Sequence, residues 1–335
     1  MTLTLAPMQD VTNLAFWRVL ERRGGPDVYV TEYFRVHRQS HPEAFILRSV
    51  DEFETAKPVI AQMIGNDPQH LVRTALLLQE HPISGIELNL GCPAPVVCGK
   101  DCGGALLRDP ERIERLVEAL RPVVQGTLTL KTRLGYQSEK EFPALLKCFE
   151  KLPIDGLAIH GRTVKEKYQS PVHTDCLAEA VRSLPYPVQA NGSIVSLKTA
   201  QAMQAKTRAH GLMLGRGAIR NPWLFDQIRG KVSSPTLRDL RDYILELSEE
   251  VRATHQYRKA NGHVQRMKKF LNYIAVGIHD GIFLDAVRRA TTEREFHAHC
   301  QEYLSSDQPL DPEPPEGGRV FCGHPELLTH VASAS

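Results

Sequence analysis

No stretch of this sequence is apolar for long enough to span a bilayer, and its beginning lacks the basic-then-apolar pattern of a secretory leader. A soluble, cytoplasmic protein with no membrane partner is therefore expected. An excess of charge is missing too: 41 Lys and Arg against 39 Asp and Glu leave a formal net charge of +2. Bulk charge thus neither demands nor excludes a polyanionic partner, and only a local basic patch can argue for one. A disulfide framework is also absent. The seven cysteines, at positions 92, 98, 102, 148, 176, 300 and 322, are odd in number and irregularly spaced, which suits reduced thiols in the cytosol. Cys92, Cys98 and Cys102 do not have the paired spacing of zinc ligands, and no clear fourth ligand follows, so no metal site is expected.

What is present is enough apolar material for a sizeable core in 335 residues, too many for one average domain. Short apolar runs recur at 3–6, 28–32, 59–63, 85–90, 128–133, 156–160, 188–190 and 211–214. Helical patterns lie between most of them, at 12–23, 68–80, 110–124, 140–151, 176–183 and 197–205. Strands alternating with helices predict parallel pairing. An open doubly wound sheet would normally carry a glycine-rich phosphate turn after its first strand, and here that strand runs into Ala6-Pro7-Met8. The expected fold is α/β, a (β/α)8 TIM barrel over residues 1–232.

Polar residues close nearly every run: Gln9, Glu32 with Arg35, Gln62, Asn89 with Cys92, Lys131 with Arg133, His160 with Arg162, Asn191 with Gly192, and Gly215 with Arg216. In a barrel these ends converge on one mouth, where a site is built. Lys131 is placed to stabilise negative charge, such as develops at the N1–O2 edge of a flavin on reduction. Gly215-Arg216-Gly217 offers backbone N–H groups and a guanidinium to a phosphate, with Asn191-Gly192-Ser193 beside it. Cys92 fits two roles on position alone: a small buried hydrophobe, or a thiol that gives a proton to a substrate carbon.

Beyond Ser233-Ser234-Pro235 the spacing is helical, so a small all-α domain is expected at 236–304, followed by a proline-rich extended or disordered tail at 305–335. No acidic residue lies between Glu250 and Asp280, whereas Arg252, Arg258, Lys259, Arg266, Lys268 and Lys269 do. Val264, Met267, Leu271, Ile274 and Ile278 share a helical face, which leaves the basic side chains elsewhere on the helix. That pattern suits RNA, and it also suits a plain solvated face or an acidic protein.

As an ordered set these segments resemble the tRNA-dihydrouridine synthases, most closely the C-type that acts on uridine 16 of the D-loop. The matching runs are 6–12, 31–36, Asn89-Leu90-Gly91-Cys92-Pro93, Gly103-Gly104-Ala105-Leu106-Leu107, Lys131-Thr132-Arg133-Leu134-Gly135, His160-Gly161-Arg162-Thr163, Asn191-Gly192 and Gly215-Arg216-Gly217-Ala218. The resemblance implies FMN held by Pro7, Met8, Gln9, Gln62, Lys131, His160, Asn191, Gly192, Ser193, Gly215 and Arg216, with NADPH as reductant. It implies Cys92 as the proton donor to C5 of uracil. It also implies tRNA contacts from Arg35, Asn89, Tyr168, Arg266 and Lys268, in a protein expected to act as a monomer. Gln9 and Ser193 stand where C-type members often carry glutamate. An FMN barrel acting on a free pyrimidine or small enone is the alternative, and it leaves the basic helix without a task.

Overall fold

The computed structural model describes residues 1–231, 234–255, 257 and 261–315. Ser233 of the expected linker, Arg258 and Lys259 of the basic interval, and the tail from residue 316 with Cys322 lie outside the described residues. The described residues form nine strands, eight of them on the apolar runs: β1 Thr2–Leu5, β2 Tyr29–Val30, β3 Phe34–Arg35, β4 Val59–Ile64, β5 Gly85–Asn89, β6 Thr127–Arg133, β7 Gly156–His160, β8 Val188–Asn191 and β9 Gly211–Leu214, with β3 lying beyond the run at 28–32. All pair in parallel, in the order β1-β9-β8-β7-β6-β5-β4-β2, and a parallel bridge from Thr4 to Val28 returns the edge to β1. The result is the expected eight-stave barrel, with helices covering the outside.

One stave departs from the run read in the sequence. The apolar stretch 28–32 yields only Tyr29–Val30, and pairing with β4 resumes at Phe34 opposite Met63. The break at Thr31–Tyr33 carries Glu32, which is buried although it has no place in a ladder. Barrel strands are buried on both faces, so they read as near-continuous apolar runs. Ala6, Val30, Ile60, Ala158 and Met213 form a small cluster of their own, apart from the large core shared by the strands and helices.

Helix starts follow local chemistry. Asp67 and Asp109 each precede a proline, and each carboxylate accepts a first-turn N–H, from His70 and Arg112 respectively. The helix expected through residue 278 spans Gly262–Ile274 and stops there, because Gly277 turns the chain at φ +83°. Ile278 is buried in the short turn that follows.

The helical part comprises Leu237–Thr254, Gly262–Ile274, Ile282–Arg289 and Glu293–Tyr303. It docks through helix Leu237–Thr254 onto barrel helix Leu14–Glu21. Arg22 and Arg23 pair with Glu246 at 2.6 and 2.5 Å, and Arg22 and Arg18 pair with Glu250 at 2.5 and 3.4 Å. Phe16 meets Phe270 across the same junction, with ring centroids 6.2 Å apart. Residues 305–312 then run back along the start of this domain. Thr236 bridges Pro309, Leu310 is buried and donates to the Pro235 carbonyl, and Arg220 donates to the carbonyls of Asp311 and Pro312.

Candidate active site

The carboxyl ends of β4 to β9 carry two networks of hydrogen bonds. At the centre of the first is Asn191, which ends β8. Its Nδ2 donates to the Met213 carbonyl at 2.7 Å, which orients the amide. Its Oδ1 then accepts from Lys131 Nζ at 3.3 Å and faces His160 Nδ1 at 3.0 Å. On its other side His160 presents Nε2 to Arg162 Nη1 at 3.3 Å. A guanidinium can only donate, so Nε2 accepts and Nδ1 carries the hydrogen. The imidazole is held neutral: burial pushes its pKa well down, and Arg133, Lys131, Arg162 and Arg216 act in the same direction.

Lys131, on β6, lies inside this network. Burial brings its ammonium down to about 8, against the attraction of Glu87. Glu87, on β5, is itself buried and accepts from Gln62 Nε2 at 2.6 Å. Gln62 passes the connection on, because its Oε1 accepts from Asn89 Nδ2 at 2.8 Å.

Asn89 belongs to this interior. Its Oδ1 accepts the N–H groups of Gly91 and Cys92 at 3.0 and 2.9 Å. Its Oδ1 therefore shapes the turn that presents Cys92, while its Nδ2 is joined to Gln62. The Cys92 carbonyl accepts from Gly104 N at 3.0 Å and from Cys98 Sγ at 3.5 Å. A Cβ on Gly103 would come within 3.1 Å of Cys92 Cβ, and Gly103 has φ +57°, so glycine is required where the loop closes over the cysteine. Burial pushes the Cys98 thiol up, and the neighbouring Cys92 adds to this.

Arg133, which follows Lys131 by two residues, is buried and ties two loops together. Nε donates to the Gly91 carbonyl at 2.8 Å, and Nη1 donates to the carbonyls of Thr163 and Lys167 at 2.9 and 2.7 Å. Above it lies Tyr168, 41 % exposed, with the guanidinium carbons of Arg133 and Arg216 at 5.1 and 4.8 Å from its ring centroid. Tyr168 also meets His160 edge-on at 5.7 Å. It is an exposed aromatic at the mouth.

The remaining expected cofactor contacts gather around this network. Arg162 Nη2 donates to Ser193 Oγ at 2.8 Å. Gly192 has φ +125°, and a Cβ there would approach His160 Nε2 at 3.6 Å. Gly215 faces Met8 Sδ, which a Cβ would meet at 3.4 Å. Pro7, Met8 and Gln9 are half-buried, and the Gln9 Oε1 has no donor among the described residues. Arg35 is exposed, 3.7 Å from Glu43 and 5.5 Å from the ring centroid of Tyr33. The mouth therefore gathers Lys131, Arg133, Arg162 and Arg216 beside a neutral imidazole and a thiol. Such a donor set fits a cofactor that carries a phosphate and gains negative charge on reduction.

Glu32 sits at the break in the second stave and was legible only as a polar strand end. Burial pushes its carboxyl up to about 7, with Asp10 acting the same way and Arg266 and the Asp10 and Val11 N–H groups opposing. An unfolded Glu loses its proton near 4.5, while the folded one keeps it to about 7. The stabilising contribution of the protonated form is thus complete below 4.5 and is lost as pH rises to about 7. Glu32→Gln is expected to gain stability relative to wild type across that window. Melting temperatures that fall in parallel for both proteins from pH 4.5 to 8 would remove Glu32 from this account.

The basic interval is less open than its composition implies. Arg252 pairs with Glu293, Arg266 with Asp10 at 3.5 Å, and Lys269 with Asp10 at 3.0 Å. His263 is buried, its Nε2 facing the Ser248 carbonyl at 2.9 Å. Lys268 is half-buried and points away from the Arg266–Lys269 face, two residues on from Arg266 round the helix. Asp10 and Lys269 were not singled out from the sequence as site residues. Asp10 stands within the 6–12 segment, but nothing in its spacing links it to a helix some 250 residues away.

A parallel barrel with this mouth defines a barrel enzyme whose site lies at the carboxyl ends of its strands. The family model described as dihydrouridine synthase (Dus) matches residues 4–307. The tRNA-dihydrouridine(16) synthase of Haemophilus ducreyi is 30 % identical over 91 % of this chain and 96 % of its own length. The tRNA-dihydrouridine synthase B of Xanthomonas axonopodis pv. citri is 30 % identical over 90 % of this chain and 92 % of its own. Among solved structures, histamine dehydrogenase from Rhizobium sp. 4-9 superposes with a TM-score of 0.54 at 13 % identity, over 74 % of this chain and 49 % of that one. The old yellow enzyme homologue of Zymomonas mobilis does so with a TM-score of 0.50 at 12 % identity, over 69 % and 89 %. Those two likenesses show the barrel. The chain belongs to the dihydrouridine synthase family, oxidoreductases that act on tRNA. No helix among the described residues is long and apolar enough to cross a membrane.

Proposed function

We propose that this chain reduces a D-loop uridine of tRNA, at position 16, to 5,6-dihydrouridine, using FMN that NADPH reduces. The observation that carries the reading is the junction of two networks at the mouth: the Asn191-centred set of Lys131 and His160, and the Asn89-held turn of Cys92. Lys131, His160, Asn191 and Arg216 would hold the flavin with Pro7, Met8, Gln9, Gln62, Gly192, Ser193 and Gly215. Bound there, the flavin supplies hydride for C6 of the uracil. Cys92 holds the proton that goes to C5 as the C5–C6 double bond is lost, and solvent returns a proton to the thiolate. Asn89 keeps the thiol at the mouth by fixing its backbone N–H. Tyr168 offers a face on which an unstacked base rests, and the unstacking is a cost the RNA contacts must offset. The relatives carry both position-16 and B-type names, and position 16 follows the Haemophilus ducreyi relative.

The test has two readouts. Purified protein should bind FMN and turn yellow. Mapping dihydrouridine in tRNA from cells with and without the gene should show one site lost, at position 16. Protein that stays colourless with added FMN defeats the cofactor assignment, and loss at another position defeats the site assignment alone.

A further inference from the structure

Arg266 and Lys269 lie one turn apart on helix Gly262–Ile274, whose buried face is built from Val264, Met267, Phe270, Leu271 and Ile274. Both reach the same carboxylate across the junction between the helical part and the barrel. Lys269 Nζ is 3.0 Å from Asp10 Oδ2, and Arg266 Nη1 is 3.5 Å from Asp10 Oδ1. Asp10 belongs to the loop that leaves β1, in a turn where the Met8 carbonyl accepts the N–H groups of Val11 and Thr12. Its backbone is left-handed at φ +63°, and half of its side chain is in solvent.

The pair is not needed to dock the two parts. Arg18, Arg22 and Arg23 already meet Glu246 and Glu250, and Phe16 already meets Phe270. A partly exposed ion pair adds little to such a junction. Its exposure has a different use. Asp10 and Lys269 have 51 % and 46 % of their side chains in solvent, and Arg266 has 14 %. The Arg266 Nε is buried and has no acceptor among the described residues. One carboxylate therefore spans two cations and stands where solvent can reach it. A phosphodiester presents two free oxygens at similar separation with more acceptor capacity than a carboxylate.

We propose that Arg266 and Lys269 form a seat for one backbone phosphate of the tRNA, and that the Asp10 carboxylate fills this seat in the free protein and yields it on binding. This rests on the tRNA reading above. Asp10 keeps the two cations paired and extended toward the mouth. The cost is competition, because the incoming phosphate must displace a tethered anion.

The experiment measures the affinity of an unmodified tRNA transcript by fluorescence anisotropy across a salt series, for wild type and Asp10→Asn. Asparagine tolerates the left-handed backbone, so the turn is kept while the charge is removed. The variant is expected to bind about 3- to 10-fold tighter at ~100 mM salt, with a log–log salt slope steeper by up to about one charge. Lys269→Gln is expected to cost more affinity in the Asp10→Asn background than in wild type, because Lys269 no longer divides its charge. Asp10→Ser repeats the comparison with a second neutral side chain, and melting curves of every variant check folding. Wild type that binds tRNA while both neutral variants bind equally or more weakly overturns the seat and leaves the tRNA reading standing. Wild type that binds no tRNA overturns both.

Discussion

Cys92→Ala is expected to lower dihydrouridine formation in tRNA by between about a hundredfold and ten-thousandfold, the range of a general acid removed from its place. The expectation rests on how the residue is held. The turn that carries it is fixed by Asn89 Oδ1 on two successive N–H groups and by Gly104 on its carbonyl, so deletion of the thiol leaves the loop intact. FMN content and the NADPH-dependent reduction of the bound flavin should therefore persist, while transfer to uracil stops for want of a proton at C5. Single-turnover assays with pre-reduced enzyme, read by mass spectrometry of the tRNA, separate the two half-reactions. An alanine variant that forms dihydrouridine at the wild-type rate would take Cys92 out of the chemistry. Cys98 is no substitute: its sulfur is spent on the Cys92 carbonyl, and burial pushes its thiol up.

Lys131→Met is expected to lower turnover by about 10²- to 10³-fold, the scale of losing one preorganised group at a centre of developing charge. A pH signature comes with it. The ammonium titrates at about 8, so wild-type turnover should fall as pH rises past that value and the positive charge is lost. The methionine variant has no ammonium to lose, so the part of the alkaline limb that belongs to Lys131 should disappear, and any that stays belongs to another group. The reduction potential of its flavin should also move down, because the reduced form loses a stabilising cation. A variant with the wild-type potential and an unchanged alkaline limb would show that Lys131 serves only to orient Asn191.

The barrel was legible because its code is short-range: apolar runs, helical spacing between them, and a polar residue at each carboxyl end. Lys131, His160 and Asn191 could be picked out because each stands at or near the carboxyl end of a short strand-forming run. Their arrangement was not legible. Nothing in the spacing says that Asn191 Oδ1 serves both Lys131 and His160, or that Asn89 spends its amide on Cys92 and Gln62. Those relations depend on the shear of the closed barrel, which sets neighbouring strand ends beside one another. The basic interval shows the opposite limit. Its want of acids is real along the chain, but Glu293 and Asp10 arrive from distant segments to meet Arg252, Arg266 and Lys269. Helical phase places Lys269 beside Arg266, and only folding supplies their common anion.

The return of residues 305–312 along the start of the helical part means that this part is fastened at both its ends. Thr236 is bridged to Pro309, and Arg220 of the barrel grips the carbonyls of Asp311 and Pro312. A domain anchored at one end swings; one anchored at both behaves as the fixed jaw of a calliper. With the Arg266 face on that jaw and Cys92 in the mouth, the gap between them is a set length. If the Arg266 face holds the RNA backbone as proposed, the nucleotide brought to Cys92 would be the one whose distance along the RNA from the held phosphate matches that gap, a choice made by measurement.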